Sequence, residues 1–117
     1  MVNMKVAVIG SRGLTIDNLS EFIPNECSEI VSGGAKGIDS CAANYAIKSG
    51  IKLTVFKPEY QLYRKNAPLI RNRAIVDYSD MVLIFWDEKS RGTKYVIDYC
   101  KKSRKSSTVT IIKKEDR

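Results

Sequence analysis

Histidine is missing from this 117-residue sequence, and its absence excludes several kinds of chemistry. Ser–His and Cys–His nucleophiles and the usual zinc sites all depend on an imidazole ring. Any acid–base step would therefore rest on Asp, Glu, Lys or Tyr. We expect neither a metal site nor a cofactor.

Cysteine and long apolar runs are also scarce. The three cysteines, Cys27, Cys41 and Cys100, are an odd number without close spacing, as is usual where thiols stay reduced. No run approaches the roughly 18 to 20 apolar residues that a membrane-spanning helix needs, and the N-terminus shows no signal-peptide pattern. We therefore expect a cytoplasmic protein that does not enter a membrane.

The basic excess is unevenly distributed along the chain. The formal net charge is +7, and most of it falls within residues 101–117. This segment has two interpretations, a solvated helix end and tail or a surface that binds a polyanion. The sequence leaves both open.

Five strand-like apolar runs alternate with helical patterns, which is typical of a parallel sheet with helices on both faces. We predict an α/β fold, a single Rossmann-like three-layer α/β/α domain over residues 1–117, with an open parallel five-stranded sheet. The two most apolar runs, residues 6–9 and 81–86, should be neighbours at the centre, which favours the strand order 3-2-1-4-5. The runs are residues 5–10, 30–31, 52–56, 81–86 and 108–112.

Glycine-rich or small polar turns follow three of the predicted strands. Glycine permits positive φ, and the N-terminus of a helix attracts anions. Because the carboxyl ends of parallel strands share one edge of the sheet, these turns should meet in one crevice that holds a phosphate-bearing ligand. The third helix should begin at the same edge. The candidate ligand-binding residues are Gly10, Ser11, Arg12, Ser32, Gly33, Gly34, Ala35, Lys36, Gly37, Asp39, Arg71, Asn72, Arg73, Arg91, Gly92 and Thr93.

Asp39 has two interpretations that the sequence does not separate. In the first turn of a helix it could cap the helix and complement its dipole. It could equally accept hydrogen bonds from the ribose or the base of a ligand.

Three motifs in this order resemble the Rossmann core of the DNA-processing protein A (Smf) family. They are Gly10-Ser11-Arg12, the run of residues 32–39, and Arg71-Asn72-Arg73. The resemblance extends over about residues 5–112 and places the chain in the SLOG superfamily, which also contains the LOG phosphoribohydrolases. It implies that the turns bind a nucleotide-like ligand or, as in the DNA-processing members, single-stranded DNA that is handed to a recombinase.

The resemblance also makes a homodimer an expectation. Because the sequence lacks the additional domains that are common in full-length members, we do not expect it to load a recombinase. The LOG hydrolases carry P-G-G-x-G-T-x-x-E at the fourth turn; here Gly92 and Thr93 are kept, and Val96 stands in place of the catalytic Glu. Since valine cannot transfer a proton, hydrolysis would need Asp39, Asp87 or Glu88 instead.

Three functions follow from these patterns. The first is noncatalytic binding of a nucleotide or nucleotide-derived phosphate ligand in the crevice. The second is binding of single-stranded DNA, with Arg12, Lys36, Arg71 and Arg73 on phosphates and Tyr60 or Tyr63 stacking on bases, while Trp86 belongs to the core. The third is a nucleotide hydrolase or phosphoribohydrolase.

Overall fold

Five parallel strands form one sheet in the computed structural model, which describes residues 3–113. The order β3-β2-β1-β4-β5 confirms the predicted order. The strands are β1 Met4–Gly10, β2 Cys27–Ser32, β3 Lys52–Val55, β4 Met81–Trp86 and β5 Ser107–Ile111.

The centre of the sheet explains why two strands are apolar throughout. β1 pairs with β2 on one side and β4 on the other, with Val6 opposite Ile30 and Ile9 opposite Ile84. Successive side chains of a strand point to opposite faces, and both faces of this sheet are covered. Val6 and Ala7 are therefore both fully buried.

The helices follow the strands in the alternating order that the sequence predicts. α1 ends at Gly50, whose φ of 67° suits a residue without a Cβ, and Pro68 lies in the first turn of α3. The helices are α1 Ile38–Ser49, α2 Tyr60–Tyr63, α3 Ala67–Tyr78 and α4 Arg91–Ser103, with 3-10 turns at Leu19–Glu21 and Arg64–Asn66.

Two apolar layers flank the sheet. On one face, α1 and the segment after β1 cover alternate strand residues, namely Val6, Val8, Ile30, Leu83 and Phe85. On the other face, α3 and α4 cover Ala7, Ile9, Val31, Val82 and Ile84. The sheet thus holds the ends of all five strands in fixed positions for the loops that follow them.

The sequence pattern predicts a short helix capped near Thr15 or Asp17, a polar loop over residues 57–66 and Thr93 as the cap of the helix after β4. All three predictions differ from the structure. Residues 11–26 contain the single 3-10 turn Leu19–Glu21 rather than a short α-helix, because Leu14, from a loop, and Leu19, from this turn, both reach the core. The predicted loop over residues 57–66 contains α2 and a second 3-10 turn. The cap of α4 is Ser90, whose Oγ accepts a hydrogen bond from the Thr93 N–H over 3.3 Å, and not Thr93.

Within residues 3–113, none of the helices has the length and apolar character needed to cross a bilayer. The same residues contain no cluster of three or more Cys, Asp or Glu side chains placed to hold a metal ion. The end of the basic C-terminal segment, residues 114–117, lies outside the described residues.

Candidate ligand-binding crevice

The loops that follow β1, β2 and β4 converge on a crevice of about 410 Å³ at the carboxyl edge of the sheet. The strands are parallel, so the three turns had to emerge at this edge, as the sequence predicts. The predicted residues that line the crevice are Gly10, Arg12, Gly33, Ala35, Asp39, Arg71, Asn72, Gly92 and Thr93.

Other predicted residues lie around the crevice without lining it. Ser11 and Ser32 are buried, and their hydroxyl oxygens accept hydrogen bonds from the N–H groups of Asp87 and Gly34, over 3.3 and 3.4 Å. Both serines therefore stabilise the turns without lining the crevice. The remaining residues that do not line the crevice are Gly34, Lys36, Gly37, Arg73 and Arg91.

Gly37 brings the turn after β2 into close contact with the turn after β1. Its φ is 72°, and a Cβ at this position would overlap the backbone oxygen of Arg12 and stand 2.7 Å from that of Leu14. Only glycine fits both the backbone conformation and this close approach. Gly37 thus fixes where Arg12 lies relative to α1.

Arg71 joins α3 to the ends of two strands. Its Nη1 donates to the backbone oxygens of Gly33, over 2.6 Å, and Phe56, over 3.3 Å, and its Nε donates to Oδ1 of Asn72 over 2.7 Å. Among the described residues Nη2 has no acceptor, so two N–H groups are left for a ligand. Burial lowers the pKa of the guanidinium, and the nearby Asp39 carboxylate opposes this shift.

Arg73 lies outside the crevice although it belongs to the same sequence motif. Two residues along an α-helix correspond to a rotation of about 200°, so Arg71 and Arg73 point to opposite sides of α3. The Arg73 guanidinium stands over the ring of Tyr99 on α4, 5.3 Å from its centre. The helical period could have separated the two arginines from sequence alone.

Five further residues line the crevice. The sequence predicts one of them, Tyr60, as a stacking residue, and does not single out the other four. Pro68 and Ile75 line it from α3, at the spacing of one helix face with Arg71. Tyr60 of α2 also lines it and is 54% exposed, whereas Tyr63 is exposed but lies outside it. Ile9 and Ser90 complete the lining.

Trp86 packs against the core, as expected. Its ring lies against the cluster of buried residues beneath α3 and α4. Its Nε1–H donates to the backbone oxygen of Ser90 over 3.0 Å. Trp86 thus ties the loop before α4 to the end of β4.

Asp39 is nearly enclosed, with 8% of its surface exposed. Its Oδ2 accepts a hydrogen bond from the Ala35 N–H over 3.0 Å and so closes the glycine-rich turn. Burial raises the pKa of this carboxyl group, while the Ala35 N–H and the charges of Arg71 and Arg12 oppose the rise.

The two helix N-termini at this edge differ in the donors that they offer to an anion. In the turn before α1, the N–H groups of Gly34 and Ala35 already bind Ser32 and Asp39. These two N–H groups of the turn after β2 are therefore not available to an anion.

At the start of α4, by contrast, the N–H groups of Arg91 and Gly92 have no acceptor among the residues that the structure describes. The hydroxyl groups of Ser90 and Thr93 lie 3.1 Å apart beside them and line the crevice. Unpaired amides and the helix dipole both favour negative charge. The N-terminus of α4 therefore offers an anion two free N–H groups and two hydroxyl groups beside the crevice.

Two of the candidate catalytic carboxylates, Asp87 and Glu88, do not line the crevice. Asp87 Oδ1 accepts from the N–H groups of Lys89 and Ser90, over 2.9 and 2.8 Å. The hydrogen bond from the Ser90 N–H, and after it that from Lys89, lowers the pKa of Asp87. The Asp87 side chain thus stabilises the loop before α4. Glu88 is exposed with a φ of 67°, and Val96 is buried in the core.

Comparison with known proteins identifies the kind of domain. The family described as DNA recombination-mediator protein A matches residues 1–58, which include the first two turns. DNA processing protein A from Helicobacter pylori has a similar structure, with a TM-score of 0.68 and 26% sequence identity. The chain is a Rossmann-type domain like that of DNA-processing protein A.

The likeness to the H. pylori protein covers 91% of this chain and 64% of that one. This DNA-processing-protein-A-like domain therefore spans less than two thirds of its relative. The H. pylori protein is described as binding single-stranded DNA in a unique mode. No curated protein matches the sequence.

Proposed function

We propose that this domain binds single-stranded DNA across the crevice at the carboxyl edge of its sheet. The observation that carries the proposal is the combination, in one crevice, of free hydrogen-bond donors and an exposed aromatic ring. Similarity to a protein that binds single-stranded DNA supports the same choice over a free nucleotide.

Phosphate groups would bind at the N-terminus of α4. The free N–H groups of Arg91 and Gly92 lie there, and the Arg12 side chain lines the same crevice. Arg71 adds the two N–H groups of Nη2, and Lys36 is exposed on the second turn. These groups combine directional hydrogen bonds with positive charge, which is the basis of affinity for a nucleic-acid backbone.

A base would stack on Tyr60. This ring lines the crevice and is 54% exposed, so it offers a face without first being uncovered. Stacking of one base on an aromatic side chain contributes about 1–3 kcal/mol. Because a base in a duplex is already stacked and paired, the crevice should favour single strands.

Binding of a free nucleotide is a second candidate, favoured by the size of the crevice. Its volume of about 410 Å³ falls within the range of roughly 300–1,000 Å³ that is typical of small-molecule sites. Hydrolysis of such a ligand has weaker support. Val96 is buried where the related hydrolases carry Glu, and Oδ1 of Asp87 is occupied by the N–H groups of Lys89 and Ser90 in the loop before α4.

Fluorescence anisotropy separates these functions. The probe is a labelled single strand of about 16 nucleotides, and the competitors are the matching duplex and unlabelled mononucleotides. We expect the single strand to bind most tightly and mononucleotides to compete weakly. Tyr60→Ala should weaken binding about tenfold, since it removes one stacked base. Tyr63→Ala, on the same helix but outside the crevice, is the matched control. Equal affinity for strand and mononucleotide would favour the second candidate.

A further inference from the structure

Asp39 puts a negative charge into the crevice that we propose holds phosphates. Its side chain lines the crevice and is largely enclosed. A carboxylate repels a phosphate and, when ionised, can only accept hydrogen bonds. Asp39 should therefore face a different part of the bound strand.

One oxygen of Asp39 is free to make that contact. Oδ2 is occupied by the Ala35 N–H, and Oδ1 accepts no hydrogen bond from the described residues. Among those residues, no buried side-chain oxygen lacks a partner. Oδ1 is consequently accessible to solvent, and Asp39 lines the crevice.

The side chain of Arg71 lies near the Asp39 carboxylate. A Cβ at Gly33 would lie 2.6 Å from Nη1 of Arg71 and 3.1 Å from Oδ2 of Asp39, so both side chains rest against the same glycine. The Nη2 of Arg71 carries the free N–H groups. The crevice thus presents a free acceptor and a free donor group on two neighbouring side chains, a pattern that matches the edge of a base better than it matches a phosphate.

We propose that Asp39 reads the base of the bound strand by accepting a hydrogen bond from an exocyclic amino group, and so favours cytosine over uracil or thymine. This inference rests on the proposed function. Cytosine carries an amino donor at position 4 with acceptors beside it, to which Arg71 can donate, whereas thymine carries an oxygen at position 4. The ring N–H of uracil lies between two carbonyl oxygens, which repel a carboxylate.

The substitution Asp39→Asn tests the inference without removing the bond that closes the turn. The Ala35 N–H needs an oxygen opposite it, so the amide oxygen of Asn takes the place of Oδ2. The amide NH₂ then replaces Oδ1 in the crevice. An acceptor is exchanged for a donor at nearly constant shape, which should remove or reverse the base preference.

The measurement is the affinity of the wild-type protein and of Asp39→Asn for oligo-dC and oligo-dU of equal length at neutral pH, with Asp17→Asn as an exposed control. We expect the wild type and Asp17→Asn to prefer oligo-dC about tenfold, as one charge-assisted hydrogen bond would give. In Asp39→Asn this ratio should fall to about one or below. Equal wild-type affinity for the two strands, or an unchanged ratio in Asp39→Asn, would overturn the inference. Wild-type binding to neither strand would overturn the proposed function as well.

Discussion

The guanidinium of Arg71 donates to the backbone oxygen of Gly33 over 2.6 Å and so bridges two parts of the chain that are 38 residues apart in sequence. The same guanidinium binds the backbone oxygen of Phe56. Arg71 therefore has a structural role at the ends of β2 and β3 in addition to the two N–H groups that it offers to a ligand.

Replacing Arg71 by Lys should test that structural role. The change keeps the charge, but an ammonium group cannot reproduce the planar fork that reaches both backbone oxygens and Asn72. We expect a loss of about 1–2 kcal/mol in the free energy of unfolding, measured by urea denaturation. Arg73→Lys, on the outer face of the same helix, should cost less than about 0.5 kcal/mol. Equal losses would contradict the structural role.

The glycines of the second turn should respond differently to alanine. Gly37→Ala combines a positive φ with overlap against the backbone of Arg12, so we expect it to cost about 3 kcal/mol or more. At Gly33 the new Cβ meets the far end of the Arg71 side chain, which can move. Gly33→Ala should therefore cost less stability than Gly37→Ala and about as much as Arg71→Lys, and it should also weaken DNA binding.

Thermal and urea unfolding together with anisotropy would separate these effects. Gly50→Ala is the control, because Gly50 has a φ of 67° and open space around the position of a Cβ. It reports the cost of the backbone conformation alone, about 1 kcal/mol. If Gly37→Ala lowered the free energy of unfolding no more than Gly50→Ala does, the result would contradict a close contact between Gly37 and the backbone of Arg12.

A buried glutamate makes stability depend on pH. Glu29 accepts hydrogen bonds from Tyr78 Oη, over 2.6 Å, and Thr54 Oγ1, over 2.7 Å. Burial alone would raise the pKa of Glu29, but these hydrogen bonds and the charges of Lys52 and Lys5 outweigh it and lower the pKa. This contribution is present above the ordinary pKa of about 4.3 and is lost as the pH falls through the lower folded value.

Tyr78→Phe should accordingly cost about 1–3 kcal/mol at neutral pH. The difference from wild type should shrink as the pH falls below the ordinary Glu pKa and through the lowered value of the folded protein, where Glu29 takes up a proton. Tyr99→Phe is the control, since its hydroxyl group donates to the exposed Asp77 and its loss should matter less. Unfolding free energies across a pH series would contradict the account if the Tyr78→Phe difference stayed constant.

The cap of α4 allows stability to be separated from DNA binding. Ser90→Ala removes the hydrogen bond to the Thr93 N–H and should cost about 1 kcal/mol. Ser90→Asp keeps a capping oxygen and complements the helix dipole, so stability should be retained. Its negative charge in the crevice should nevertheless weaken DNA binding. Binding by Ser90→Asp as tight as wild type would argue against phosphate contacts at this helix.

Much of the fold could be predicted because its signals are local. The apolar runs of β1 and β4 require burial on both faces, which places them at the centre, and Gly50 marks the end of α1. The segment 11–26 could not be predicted in this way. Leu14 and Leu19 reach the core through tertiary packing, which overrides the local preference for a helix after Thr15 or Asp17.

The sequence was sufficient to predict which loops form the site, but not which of their hydrogen-bonding groups are free to bind a ligand. Parallel strands determine that the three turns meet, and this follows from the order of elements alone. Which amides remain free depends on side chains: Ser32 and Asp39 occupy two donors of the second turn. The sequence alone therefore could not identify which N–H groups of each turn remain free for a ligand.

In our proposal, phosphates of a single strand bind in the crevice through Arg12 and the N-terminus of α4. The most direct test is the salt dependence of DNA affinity for wild type, Arg12→Ala and Lys48→Ala, which removes an equal charge at the other end of α1. Each phosphate contact with a single strand contributes about 0.7 to the slope of log K against log salt. We predict that Arg12→Ala reduces the slope by about this amount and that Lys48→Ala leaves it unchanged. An affinity that does not vary with salt, or the same slope in all three proteins, would contradict the account.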